Sequence, residues 1–245
     1  MIKLFIFDVG GVIRDSSELM AHAFRKGFES VGLKIPFSNQ EMWKLRGIGK
    51  YNNSRTSASA ILACMKNKTI LGNIIKKENA EELLDSLVQK LSKQDHENID
   101  KILPIYKKEF HEGSGELVKI IDGVPDALDK LAKKYKLAIF SNSSITTIKR
   151  DVGALLSRFS LVLSGEDVKN KKPSGEGIVL ACEKLKIKPE DSAYIGDSDV
   201  DILAAKEAGC KSIVLLTGMR TKNHLENLNP DYIFNDMKEM AGEFC

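Results

Sequence analysis

Asp8 closes a run of apolar residues, Leu4-Phe5-Ile6-Phe7, and Gly10 and Gly11 follow almost at once. A short apolar run ending on a carboxylate and a glycine turn reads as a buried strand that delivers one charged group to a tight loop. A second run ends the same way at Tyr194-Ile195-Gly196-Asp197, with Asp199 and Asp201 just behind. Strand ends that each carry an acid can bring carboxylates together. Converging carboxylates hold a hard cation such as Mg²⁺ and draw phosphate to it. Alone, Asp8 reads as readily as a loop acid or helix cap; its pairing with Asp197 favours chemistry.

Other residues could serve the same site. Ser141-Asn142-Ser143-Ser144 follows an apolar run. Such a string is a polar loop with a helix cap, or a hydroxyl with successive amides that grip a phosphoryl oxygen. Lys172 stands among neighbouring lysines, in a solvated loop or as a placed cation; Pro173 stiffens the loop and favours placement. Asp197 is the expected metal ligand, Asp201 a supporting acid behind it, and Asp199 a solvent-facing residue of a helix's first turn. His22, His96, His111 and His224 show no partner pattern and are expected to be bystanders.

The elements that must position these groups are legible from pattern. From Asp15-Ser16-Ser17-Glu18 to about residue 118 the apolar spacing is helical, as at Leu19, Ala23, Phe24, Phe28 and Val31. Breaks are expected at 32–38, 46–53, 66–73, 92–98 and 113–115. Beyond this block, helices at 125–134, 146–156, 175–185 and 202–208 alternate with strands at 136–140, 161–163, 192–195 and 212–216. A strand at 232–234 and a terminal helix follow. Alternation with short links predicts an α/β fold, a Rossmann-like open parallel sheet that includes the first strand. The helical block is then an inserted all-helical cap domain at 15–118, and the core is 1–14 with 119–245. Ligands sit at the carboxyl ends of such strands, where Asp8, Ser141 and Asp197 fall. The insertion, rooted beside Asp8, is expected to cover that edge and exclude water.

Composition narrows the function. With 42% hydrophobic and 29% charged residues, the 245-residue chain is neither disordered nor fibrous. A net charge of +3 is too small to argue for nucleic acid. No apolar run approaches the roughly 18 residues of a membrane span, nor does Met1-Ile2-Lys3 open an export signal. Cys64, Cys182, Cys210 and Cys245 lack zinc or disulfide spacing, so reduced thiols are expected. The expectation is a cytoplasmic protein, monomeric or homodimeric, free of membrane and nucleic acid.

Phe7-Asp8-Val9-Gly10-Gly11-Val12, Phe140-Ser141-Asn142, Lys171-Lys172-Pro173 and Gly196-Asp197-Ser198-Asp199-Val200-Asp201 occur in that order. On these four segments the chain resembles the haloacid dehalogenase-like hydrolase superfamily. Asp15-Ser16 resembles the cap hinge of the helical-cap branch that includes phosphoglycolate phosphatase and β-phosphoglucomutase. The resemblance implies that Asp8 attacks phosphorus to give an aspartyl-phosphate. It implies Mg²⁺ held by Asp8, the Gly10 carbonyl and Asp197. Ser141, the Asn142 amide and Lys172 would stabilise charge on the phosphoryl oxygens. Arg46 and Lys50, in a segment placed like the family's substrate-contacting cap segment, would meet a second anionic or hydroxylated group. A basic interhelical turn explains them as readily.

One position departs from the family. Most of its phosphatases carry a second aspartate, the general acid and base, where this chain has Gly10. A positioned acid/base contributes typically 10²–10⁴-fold. The enzyme is therefore expected to favour small phosphorylated metabolites with acidic leaving groups, or to be slow, and a mutase is disfavoured. Two rivals are a metal-free dehalogenase acting on carbon and a non-catalytic binding protein.

Overall fold

The computed structural model describes residues 1–113 and 115–245. The chain divides into two compact units, one of Met1–Asp15 with Lys119–Cys245 and one of Ser16–Val118. Strand β1 (Leu4–Phe7) is followed by a tight turn and the two-residue β2 (Arg14–Asp15).

The helical unit comprises α1 (Ser17–Glu29), α2 (Asn39–Leu45), α3 (Ser54–Lys66), α4 (Leu71–Ile74), α5 (Ala80–Val88) and α6 (Lys93–Glu112). Phe24 and Phe28 of α1 pack with Ile61, Leu84, Ile99 and Ile102 in its core. Their three- and four-residue spacing turns one stripe of each helix inward, and each large apolar side chain buried contributes about 1.5–3 kcal/mol. The polar run 92–98, expected to be a break, is instead the start of α6. The Asp95 amide donates to Ser92 Oγ at 3.3 Å and the Ser92 amide to the Asp95 carboxylate at 2.8 Å, a reciprocal cap. Lys66 of α3 ties down the same carboxylate at 2.7 Å. The break expected at 113–115 includes residue 114, which lies outside the described residues.

The α/β unit resumes with β3 (Lys119–Ile120), which pairs antiparallel with β2. This ribbon is too short to show a period in sequence. Then come α7 (Val124–Leu131), β4 (Lys136–Phe140), α8 (Ile145–Val152), β5 (Leu161–Leu163), α9 (Glu176–Leu185), β6 (Ser192–Gly196) and α10 (Asp199–Ala208). After these, β7 (Lys211–Leu215), α11 (Lys222–Glu226), β8 (Tyr232–Phe234) and α12 (Met237–Phe244) complete the chain. The six long strands form one sheet in the order β5-β4-β1-β6-β7-β8, and every pair in it is parallel. The expected α/β fold is borne out.

Strand parity decides which side chains meet. Phe5, Phe7, Leu137, Ile139, Ala193 and Ile195 join a core that includes residues of α7, α8 and α12. Leu4, Ile6, Ala138, Phe140 and Tyr194 face the core that includes residues of α9 and α10. Both faces are buried, so the strands read as continuous apolar runs rather than alternating ones. Among the described residues, no helix is long and apolar enough to cross a membrane.

Candidate active site

β1 ends at Phe7, and the Asp8 amide donates to the Ile195 carbonyl of β6 at 2.9 Å. Asp8 is thereby fixed at the carboxyl edge of the two central strands. The turn behind it closes on itself, with the Ile13 and Arg14 amides donating to the Val9 carbonyl at 2.9 and 3.0 Å. On the neighbouring strand, β4 delivers Ser141, which is buried, and Asn142. The Asn142 side chain pairs with the backbone of Lys172, donating to its carbonyl at 3.1 Å and accepting from its amide at 2.9 Å. The lysine loop is thus stapled to the end of β4.

The lysine reaches inward. Its Nζ lies 2.6 Å from Asp201 Oδ1 and 2.7 Å from the Tyr194 hydroxyl, to both of which it donates. Asp8 Oδ1 is 3.0 Å away, an ion pair rather than an aligned hydrogen bond. Asp201 Oδ2 accepts from the Asp197 and Ser198 amides, both at 3.1 Å, and from Ser198 Oγ at 2.6 Å. Asp201 therefore caps α10 with one oxygen and holds Lys172 with the other.

Asp197 completes the cluster. One oxygen from each of Asp8, Asp197 and Asp201 lies within 4.8 Å of the others. Two glycines make room for it: a Cβ on Gly218 would sit 1.9 Å, and one on Gly11 2.3 Å, from Asp197 Oδ2. Gly11 also has φ +72°, a conformation that disfavours side chains. Thr217 Oγ1 donates to the Gly11 carbonyl at 2.6 Å, holding the loop after β7 against the turn after β1. At Gly10, by contrast, a Cβ would meet nothing within 4 Å. The missing side chain leaves open space.

The charges do not balance locally. Burial, then the negative charges of Asp201 and Asp8, push the Asp197 carboxyl well above the usual carboxylate range. Burial alone would lower the Lys172 ammonium, but Asp201 and then Asp8 outweigh it and hold it well above its ordinary value. Three carboxylates facing one ammonium can accept a cation. An all-oxygen donor set suits a hard divalent ion rather than zinc.

Sequence reasoning missed several of these parts. Tyr194 reads only as part of an apolar run, and nothing in the sequence singles out Gly218 or Arg14. Arg14 is buried and pairs with Asp151 of α8 at 2.8 Å. Burial lowers its pKa against the opposing pull of Asp151 and Asp8. Asp199, expected to face solvent, is held by Arg220 through two contacts of 2.8 Å, and His224 approaches it at 3.1 Å. His22 likewise has a partner, Glu109 at 3.5 Å. No signal in the sequence links residues so far apart. Arg46 and Lys50 belong to the helical unit, where Arg46 donates to the Asn52 carbonyl and Lys50 pairs with Asp85 at 2.7 Å.

An open parallel sheet with acids converging at its central edge defines a class of hydrolase, and the chain agrees with it over most of its length. Residues 5–215 match the haloacid dehalogenase-like hydrolase family, to which this chain belongs. Among its relatives, the pyrophosphatase PpaX of Bacillus mycoides is 29% identical over 160 residues, 63% of this chain and 74% of that protein. PpaX of Oceanobacillus iheyensis is 22% identical over 242 residues, 98% of this chain and 95% of that protein. The fold is shared with the haloacid dehalogenase-like family protein SP0104 of Streptococcus pneumoniae (TM-score 0.70, 21% identity, 100% of this chain and 99% of that one). It is shared too with a predicted phosphoglycolate phosphatase of Haemophilus somnus (TM-score 0.69, 21% identity, 100% and 98%).

Proposed function

We propose that the chain is a Mg²⁺-dependent phosphohydrolase that works through Asp8 and prefers leaving groups that depart readily as anions. The observation that carries this reading is the convergence of Asp8, Asp197 and Asp201 on Lys172. Asp8, Asp197 and the Gly10 carbonyl would hold the ion, which when bound screens the repulsion between an anionic nucleophile and an anionic phosphate. An Asp8 oxygen attacks phosphorus, the bond to the leaving oxygen breaks, and the leaving group keeps the electron pair. Water then attacks the same phosphorus, releasing phosphate and restoring the Asp8 carboxylate. Lys172, Ser141 and the Asn142 amide stabilise charge on the transferring oxygens. Asp201 holds Lys172 in place.

Gly10 sets the substrate preference. With no side chain to protonate a leaving oxygen, plain alkoxides leave poorly. A phosphate, carboxylate, anomeric or aryl oxygen leaves without that help. The relatives named as pyrophosphatases fit this, because the leaving group of pyrophosphate is itself a phosphate. The substrate class is therefore a small diphosphate or similarly activated phosphoryl compound.

Phosphate release from pyrophosphate, an acyl phosphate, an aryl phosphate and an alkyl phosphate tests the reading. Activity is expected with Mg²⁺ on the first three, to be lost in EDTA, and to fall at least ~10³-fold in Asp8→Asn. Full activity of Asp8→Asn, or activity on haloacids in EDTA, would overturn it. Gly10→Asp should raise alkyl phosphate turnover by ~10²–10⁴-fold with little change in stability, since its Cβ meets open space.

A further inference from the structure

Tyr194 occupies the middle of β6 and is 1% exposed, among Leu4, Ile6 and Phe140. An aromatic at such a position is ordinarily core, and phenylalanine would fill that role equally. The hydroxyl does more. It donates to the Phe140 carbonyl at 2.7 Å, next to Ser141, and accepts from Lys172 Nζ at 2.7 Å. A phenol has one proton to give, so once the carbonyl takes it only lone pairs face the ammonium. Burial raises the Tyr194 pKa well above its ordinary value, so that proton is retained. The ammonium also lies 5.1 Å from the Tyr194 ring centroid and 6.0 Å from that of Phe140.

This arrangement answers a specific problem. Lys172 has three N–H bonds and faces two acids, Asp8 and Asp201. A lysine free to swing on its four-carbon stem would settle on both carboxylates and donate squarely to Asp8, blunting the attacking oxygen. A third acid would hold it back but would add negative charge where phosphate must arrive. A neutral hydroxyl holds it back without that charge.

We infer that Tyr194 is a positioning residue for phosphoryl transfer. Its fixed hydroxyl and Asp201 take two N–H directions of Lys172, and the third is left for the transferring oxygens. This rests on the function proposed above, since it concerns the lysine of that same site.

The test is Tyr194→Phe in the full chain with Mg²⁺, measured in three ways. The kcat for an aryl phosphate should fall about tenfold or more while KM stays within about threefold. Inhibition by orthovanadate, which mimics the transferring group, should weaken by about the same factor as kcat/KM. In ¹⁵N spectra of lysine ammonium groups, recorded without metal or substrate, the Lys172 signal should be protected in the native protein and exchange faster in the variant. A purely structural tyrosine would give a lower unfolding temperature with kcat, vanadate affinity and the ammonium signal unchanged; that result would overturn the inference. The ammonium measurement needs neither metal nor substrate, so it decides the role of Tyr194 even if full activity of Asp8→Asn overturns the proposed function. If Tyr194→Phe does not fold, Tyr194→3-fluorotyrosine keeps the size and weakens the oxygen as acceptor. Faster exchange of the Lys172 signal supports the role, and an unchanged signal refutes it.

Discussion

In the helical unit, Asp95 is the one charged side chain buried among the described residues, and Ser92 and Lys66 consume its carboxylate. In the α/β unit, Lys172, Asp197 and Asp201 are buried together beside Asp8, with more acids than cations. The two buried aspartates diverge accordingly. Asp95 resists the upward push of burial because Lys66 and Ser92 outweigh it, so its pKa is lowered. For Asp197, burial and then the charges of Asp201 and Asp8 outweigh the opposing pull of Lys172, and its pKa is raised. A buried charge matched at once by its neighbours serves the fold. One left in like-charged company strains against the fold, which is the arrangement the proposed function calls on.

The largest effect should come from removing the cation that holds the acidic group together. Lys172→Met leaves the buried Asp201 facing the partly buried Asp8 with no cation between them. Losing one partner of such a group costs about 3–5 kcal/mol, readable by urea unfolding, and turnover should fall by ~10²-fold or more. Lys66→Met, whose lysine is half exposed, should cost no more than about 1 kcal/mol. Equal losses would erase the contrast between the units. Next in size is Gly218→Ala. Its new Cβ would collide with Asp197 Oδ2, 1.9 Å away, and displace the acid. The apparent affinity for Mg²⁺ should weaken ~10–100-fold, seen as a shifted metal titration rather than a lower plateau.

The smallest effects are the most telling because their signs differ. Asp95 has a folded pKa below its unfolded one, so its contribution is present above the unfolded value and is lost as pH falls through the folded one. Asp95→Asn should therefore destabilise by about 1 kcal/mol at pH 7. Asp197 has a folded pKa above its unfolded one, so its ionisation opposes folding as pH rises from the ordinary carboxylate value. Asp197→Asn should stabilise the metal-free protein by about 1 kcal/mol at pH 7, with a smaller gain at lower pH. Thermal unfolding in EDTA at two pH values reads both. Shifts of the same sign would break the comparison.

The alternating elements of the sheet and the acids at its strand ends were open to pattern reasoning because each depends on a local period or a neighbour in sequence. The start of α6 was obscured because its first turn is wholly polar and its apolar stripe begins only at Ile99. Tyr194 was hidden for the opposite reason, since an aromatic inside a strand is what a core calls for, and its hydroxyl's partners lie 22 and 54 residues away. Gly218 and Arg220 act through Asp197 and Asp199, across a sheet connection that spacing does not announce. What escaped is what only packing creates.

The short ribbon of β2 and β3 has a practical corollary. It sets Asp15 and Lys119 opposite one another in an antiparallel ladder, so the two cut ends of the α/β unit already lie side by side. A tight two-residue hairpin turn is enough to join strands so arranged. Excising residues 16–118 and splicing 15 to 119 through Asn-Gly should yield a minimal α/β protein that folds unaided. The long segment between them would then be, in chain-connectivity terms, a removable cassette.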